Sequence, residues 1–168
     1  MKYIETPLCE VTINSLEVGD VVCISGYLFC GRDAVLPHIC KEIKDGSWCR
    51  RGIELKGGVI FHTAVSPAGV GPTSSNKLEI ESSFEMLSAA GIKMHLGKGA
   101  IKPETVSMLN EYNSVFAIIP PVTALLESQT LERECVAFPE LGMEALYRIK
   151  VENYQAIIAA AKGESIYE

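Results

Sequence analysis

Three short glycine-containing loops in this 168-residue sequence each place a polar group, and a cation among them, where a predicted strand hands over to a predicted helix. They are Gly31-Arg32-Asp33, the run Gly69-Val70-Gly71-Pro72-Thr73-Ser74-Ser75-Asn76-Lys77, and Gly97-Lys98-Gly99. In an α/β sheet that junction is the usual address of a ligand, because irregular backbone there points donors into a crevice. Arginine is the natural bidentate partner of a carboxylate, and lysine acts as a point charge. In the middle loop the hydroxyl run would cap the following helix, whose free N–H groups, with Lys77, favour an anion. The Walker pattern is absent: Lys98 is followed by Gly99, and Ile92 stands where the first glycine belongs. Gly69 and Gly71 lack the third glycine of a dinucleotide fingerprint. A small carboxylate therefore fits better than a nucleotide, and cations at three junctions that share one rim suit a dianion. Taken singly, Thr73 and Ser74 are equally well explained as helix caps, and Arg32 and Lys98 as solvated turn residues.

The remaining polar candidates are weaker. His62 ends a short strand just before the Gly/Pro-rich run, as a hydrogen-bond donor or proton carrier or as a histidine satisfied within the fold. His95 lies inside an apolar strand and reads as structural, and His38, His62 and His95 form no ligand pattern. Glu140, in Pro139-Glu140-Leu141-Gly142-Met143-Glu144, is either a supporting acid or a turn acid paired with backbone. There is no nucleophile elbow, no pair of acid/base carboxylates at readable spacing and no cluster of metal ligands. The residues amount to half of an anion site, and the other half is expected from a second chain.

The elements that must hold these loops alternate along the chain. The first thirty residues read as β, with Val21–Ile24 and Tyr27–Cys30 as a hairpin around Ser25-Gly26. Leu36, Ile39, Cys40 and Ile43 have helical spacing, with Asp33 as N-cap and Pro37 in the first turn. Val59 to His62 reads as a strand and 66–75 as a loop. Ile80, Phe84 and Leu87 mark a helix that Gly91 ends. Ile92 to Leu96 is the next strand, followed by a helix from Lys102-Pro103-Glu104 carrying Val106, Leu109 and Tyr112. Val115 to Ile119 is a strand, and Val122 to Leu126 a short helix. Glu134 to Phe138 and Ala145 to Val151 read as strands. Residues 154–161 are apolar without a clear period, and their short length between turn residues favours a strand over a helix. The expectation is one α/β domain over residues 1–168, with a mixed sheet, flanking helices and no internal repeat.

Composition limits the partners. Apolar residues make up 48% and charged ones 21%, enough to bury a core and too few charges for a disordered chain. Fifteen Lys+Arg against 21 Asp+Glu leave a net charge of −6 and no basic stripe, which argues against nucleic acid. No apolar run reaches the roughly 20 residues that cross a bilayer, and the N-terminus has no signal-like stretch. A cytoplasmic protein is expected. The six cysteines have no C-x-x-C spacing, so reduced and mostly buried thiols are expected and no metal site on this chain.

At the same loops the sequence resembles the β subunit, or C-terminal domain, of class I iron–sulfur fumarate hydratases and L-tartrate dehydratases. The resemblance is carried in order by Gly26…Gly31-Arg32-Asp33, Gly71-Pro72-Thr73, Gly97-Lys98-Gly99, Glu140-Leu141-Gly142-Met143-Glu144-Ala145 and the closing Ser165-Ile166-Tyr167-Glu168. It implies a swivelling β/β/α domain docked on an α subunit that holds a [4Fe-4S] cluster through its own cysteines. It implies reversible hydration of a small dicarboxylic acid, of the fumarate/malate or tartrate/oxaloacetate type, at the interface of the two subunits. By resemblance Arg32 grips a substrate carboxylate, Lys98 contacts substrate, and Thr73 moves a proton together with an aspartate of the α subunit. Gly71 and Gly99 belong to the same substrate-binding motifs, with His62 and Glu140 in support. A hetero-oligomer is expected, with a homodimer as the form open to the isolated chain.

Three places depart from the family pattern, one of them the segment Thr63 to Gly69, which differs from the usual glycine–proline reading. Lys77 stands where many members carry arginine, and Pro120-Pro121 stands where a Gly-Gly pair is common. Both bear on which acid is preferred. They also leave a second reading, a catalytically silent anion-binding or regulatory module of the same fold. A third, a self-sufficient enzyme, suffers from the scarcity of acid/base groups.

Overall fold

A computed structural model describes residues 1–31, 34–63, 65–66, 69–70, 77–97, 101–119 and 129–166, with backbone alone at 65–66, 69–70 and 77–82. The first half of the chain runs β1 (Lys2–Glu5), α1 (Glu10–Asn14), β2 (Val21–Cys30), α2 (Leu36–Asp45), β3 (Val59–Phe61), β4 (Val65–Ser66) and β5 (Gly69–Val70). It continues with α3 (Lys77–Ala89), β6 (Met94–Gly97), α4 (Pro103–Glu111), β7 (Val115–Ile118), β8 (Thr130–Ala137), β9 (Leu146–Ala161) and β10 (Glu164–Ser165). Single 3-10 turns occupy Ser47–Arg51 and Pro139–Glu144. The result is the expected single α/β domain, a mixed sheet flanked by helices.

Strands β2, β3, β6 and β7 are parallel neighbours in that order. The long β9 runs antiparallel to β7 near its end and to β2 along most of its length, so these five strands close into a ring. Alternation decides what fills it. Val22, Ile24, Leu28 and Cys30 of β2, Phe61, Leu96 and Ala117 from the next three strands, and Ile149 and Val151 of β9 share one buried interior cluster. The intervening positions point outward, under the helices. Phe29 and Ile60 pack with Leu36 and Ile39 of α2, while Phe116, Ala159 and Ala160 pack with Phe84 of α3 and Val106 and Leu109 of α4. The two alanines are small because α4 lies against them.

Residues 154–161 are strand, as expected. Just before them the register between β2 and β9 shifts, where Ile24 faces Tyr154 and Gly26 faces Val151. Asn153 adopts φ 56° there, and its N–H donates to Ser25 Oγ at 3.0 Å. The irregularity switches inward positions from 149 and 151 to 154, 156 and 158, so both halves of β9 face the same core.

Several expectations are corrected. Ser25-Gly26 is no hairpin turn: β2 is continuous, and Gly26 takes φ 112° where Thr6 N–H donates to the Ser25 carbonyl at 3.0 Å. The first thirty residues are not all β, since α1 interrupts them. Val35, with no side-chain cap, is the N-cap of α2, and Asp33 lies outside the described residues. Residues 65–70 contain a two-stranded pairing, β4 with β5. The expected helix at 122–126 falls outside the described residues. The thiols are free, but they are not mostly buried: Cys23 and Cys30 are buried, Cys40 is half-buried, and Cys9, Cys49 and Cys135 are exposed.

Candidate functional site

The four parallel strands end in step. Cys30 faces Phe61, Phe61 faces Leu96, and Leu96 faces Ala117. Beyond them the Gly31 N–H donates to the Phe61 carbonyl at 3.1 Å, the His62 N–H to the Leu96 carbonyl at 3.0 Å, and the Ile119 N–H to the Gly97 carbonyl at 3.1 Å. Residues 31, 62, 97 and 119 thus lie along one edge, at the ends of the four parallel strands. Gly31 is required at the first of these ends, because a Cβ there would lie 2.7 Å from Val35 Cγ1, where α2 begins. Gly31 and Gly97 are separated by one intervening strand, roughly 10 Å at normal strand spacing.

Arg32, Gly71, Thr73, Lys98 and Gly99 lie outside the described residues. Lys77 is the first residue of α3, described in its backbone alone. Glu140 is exposed on the turn Pro139–Glu144, which lies beside β4 in the segment that follows His62. That turn is entered through Phe138, whose φ of 56° is unusual for an aromatic residue. Arg51 secures it: the guanidinium lies 4.2 Å from the Phe138 ring centroid and grips Glu42 through Nε (2.6 Å) and Nη2 (2.7 Å). The Glu42 hydrogen bond, with a smaller contribution from the Glu140 charge, holds Arg51 above its ordinary pKa.

His62 does not stand alone. Its ring points to the outer face beneath α3, fully buried, with Nε2 3.1 Å from Nδ1 of His95. Nε2 of His95 is 3.0 Å from Ser88 Oγ, and Phe84 lies 4.9 Å from the His62 ring and 4.2 Å from the His95 ring. Burial lowers the His62 pKa to about 3. Burial first, and the His62 charge second, push His95 well below its ordinary value. Both rings are therefore neutral near pH 7. Nδ1 of His62 makes no hydrogen bond among the described residues. The chain separates these histidines by 33 positions. Their link was legible only through alternation: Ile60, His62 and His95 occupy outward positions on neighbouring parallel strands.

The cysteines do not fit a metal cluster. Cys23 and Cys30 are seven residues apart on one strand, about 23 Å, and only Cys30 enters the ring interior. Among the described residues no three His, Cys, Asp or Glu side chains gather as a metal ion requires.

Comparison with known proteins places the whole length of the chain in one family. The family model described as the fumarase C-terminus matches residues 3–168. A protein of Escherichia coli K12 named L(+)-tartrate dehydratase subunit beta is 29% identical over 180 residues, covering 95% of this chain and 82% of that one. A Methanocaldococcus jannaschii protein, provisionally named L(+)-tartrate dehydratase subunit beta, is 29% identical over 183 residues, covering 100% of this chain and 92% of its own. A Geobacillus stearothermophilus protein, provisionally named fumarate hydratase class I, is 26% identical over 178 residues, covering 98% of this chain but 33% of that longer one.

Proposed function

The chain belongs to the fumarase C-terminus family, and from that membership we propose that it is the β subunit of a two-chain hydro-lyase acting on a small dicarboxylic acid. Fumarate/malate and tartrate/oxaloacetate are the substrate pairs in view. The observation that carries this reading is the common strand edge: Gly31 and Gly97, each followed by a cation in sequence, end strands two places apart. That spacing suits two long cationic side chains closing on the two ends of one diacid. The name subunit beta carried by two of the relatives supports an α subunit as the partner.

In this reading Arg32 holds one carboxylate through paired N–H···O bonds. Lys77 and Lys98 balance the other carboxylate and the enolate-like charge that develops as the adjacent carbon loses its proton. Thr73 passes that proton between carbon and an aspartate of the α subunit. Gly71 and Gly99 let backbone N–H groups come close to the anion. His62 and Glu140 support this surface from behind. Departure of the hydroxyl is Lewis-acid chemistry, which this reading assigns to a [4Fe-4S] cluster on the α subunit, and the dispersed cysteines described above support that assignment.

Anaerobic reconstitution with the α subunit tests the reading. Turnover of malate, fumarate or tartrate is expected, with none from the isolated chain, and Thr73→Ala is expected to abolish it. A complex that turns over none of the three acids overturns the assignment. Binding without turnover, altered only in affinity by Thr73→Ala, would instead mark the silent anion-binding module to which Lys77 and Pro120-Pro121 point.

A further inference from the structure

A buried imidazole nitrogen without a hydrogen bond is rare in a folded chain and calls for a reason. Among the described residues Nδ1 of His62 is such an atom, while Nε2 of the same ring is committed to His95. His95 is fixed from behind by Ser88, and Phe84 flanks both rings. The thread runs from Ser88 on α3, through His95 on β6, to His62. Its loose end lies one residue past β3, at the edge that Gly31, Gly97 and Ile119 share.

Proton positions along the thread are coupled. One proton occupies the contact between His62 Nε2 and His95 Nδ1. If His62 carries it, His62 Nδ1 is an acceptor, and His95 carries its own proton on Nε2 and donates to Ser88 Oγ. If Ser88 donates instead, His95 carries its proton on Nδ1, and His62 carries its own on Nδ1 as a donor. Each ring keeps one proton in either arrangement, and only its position changes. An orphaned N–H is tolerated less readily than an orphaned lone pair, so the first arrangement suits the free chain. An anionic oxygen near Nδ1 selects the second.

We propose that His62 is a positioning residue of the dicarboxylate site, its Nδ1–H donating to an acceptor oxygen that arrives with the ligand or with the docked α subunit. The nature of the ligand rests on the hydro-lyase reading; the chemistry of the thread does not. A neutral donor gives an anion site direction without charge. With Arg32, Lys77 and Lys98 set against two carboxylates, a fourth cation would over-balance them, and burial keeps His62 from becoming one.

Spectra of the chain labelled with 15N-histidine read which nitrogen of each ring is protonated. In the free chain His62 is expected to carry its proton on Nε2. Two arms then separate the sources of the acceptor: the chain with L-malate, and the complex with cluster-free α subunit in the absence of diacid. A move to Nδ1 in either arm supports the proposal and names the source. Protonation at Nε2 in every state, including the complex with L-malate, overturns it. In the active complex, His62→Asn keeps a polar group at the Nδ1 position, whereas His62→Gln reaches His95 and leaves nothing there. His62→Gln is expected to raise KM for malate about tenfold, as for loss of one hydrogen bond, with kcat changed less and with His62→Asn close to wild type. Equal KM values, with His62→Asn the less stable of the two in urea, mark a purely structural thread and overturn the proposal. An inactive wild-type complex overturns the hydro-lyase reading alone, since the spectra decide this one.

Discussion

His62 Nε2 and His95 Nδ1 lie 3.1 Å apart beneath α3, two fully buried rings that share one proton. The pair makes the fold acid-sensitive. In the folded chain the pKa of His62 is about 3, against an ordinary 6.5 in the unfolded chain. Between those values the unfolded state binds more protons, so stability is fully present above pH 6.5 and falls as pH drops towards 3. His62 alone removes about 2 kcal/mol by pH 5, and His95 adds to the loss in the same direction. The depressed carboxyls of Glu10, Asp20, Glu42 and Asp45 act in the same direction, but only as pH falls from their ordinary values of 4.5 and 3.8, in the lower part of this window. Urea midpoints should fall steeply from pH 7 to pH 5 and much less in His62→Gln. A flat wild-type profile over that range would contradict buried neutral histidines.

Arg51 links α2 to the turn that carries Glu140. Its paired hydrogen bonds to Glu42 and its position over Phe138 sit at the protein surface, with 31% of the Arg51 side chain exposed. Arg51→Ala should therefore cost about 1–2 kcal/mol, from an ion pair and a cation–π contact of up to about 1 kcal/mol each. Arg51→Lys should recover less than half, because lysine supplies no planar fork. Chemical denaturation of the three proteins checks the order, and equal stability of Arg51→Lys and wild type would refute it.

Gly26 and Gly46 both have positive φ, 112° and 84°, yet substitution should separate them. An alanine Cβ at position 26 would overlap Thr6 Oγ1 and meet the Thr6 backbone near 3.2 Å, whereas among the described residues nothing lies within 4 Å at position 46. Gly46→Ala should cost about 1 kcal/mol, for backbone strain alone. Gly26→Ala should cost about 3 kcal/mol, for strain and overlap together. Comparable unfolding midpoints for the two variants would show that β1 does not hold β2 this closely.

Helical spacing at Leu36/Ile39/Ile43 and at Val106/Leu109 marked α2 and α4 correctly, because each buries one face on the sheet and repeats accordingly. Reading failed where long-range pairing overrode local signals. Ser25-Gly26 has hairpin chemistry, but β9 pairs continuously past it, so the glycine serves a bulge. The apolar run of 154–161 has no period, because its interior-facing and α4-facing positions are both buried. At the candidate site the order of motifs was legible, since glycine beside a cation is a local feature. Of the thread through Ser88, His95 and His62, alternation puts the two histidines on one face, but the contacts exist only once β3 and β6 pair and α3 covers them. Cys9, Cys49 and Cys135 were misjudged for a similar reason: an apolar residue type does not disclose which side of an element faces solvent.

The most direct measurement is the KM of the reconstituted complex for its dicarboxylate with Arg32→Met in the β chain. If that arginine grips a carboxylate at the strand edge beside His62 and Gly97, KM should rise about a hundredfold or more, as for loss of a charged, paired contact. The unfolding free energy of the chain in urea should stay within about 0.5 kcal/mol of wild type, as for a residue that serves the ligand and not the core. An unchanged KM in an active complex would contradict a diacid site built on that edge.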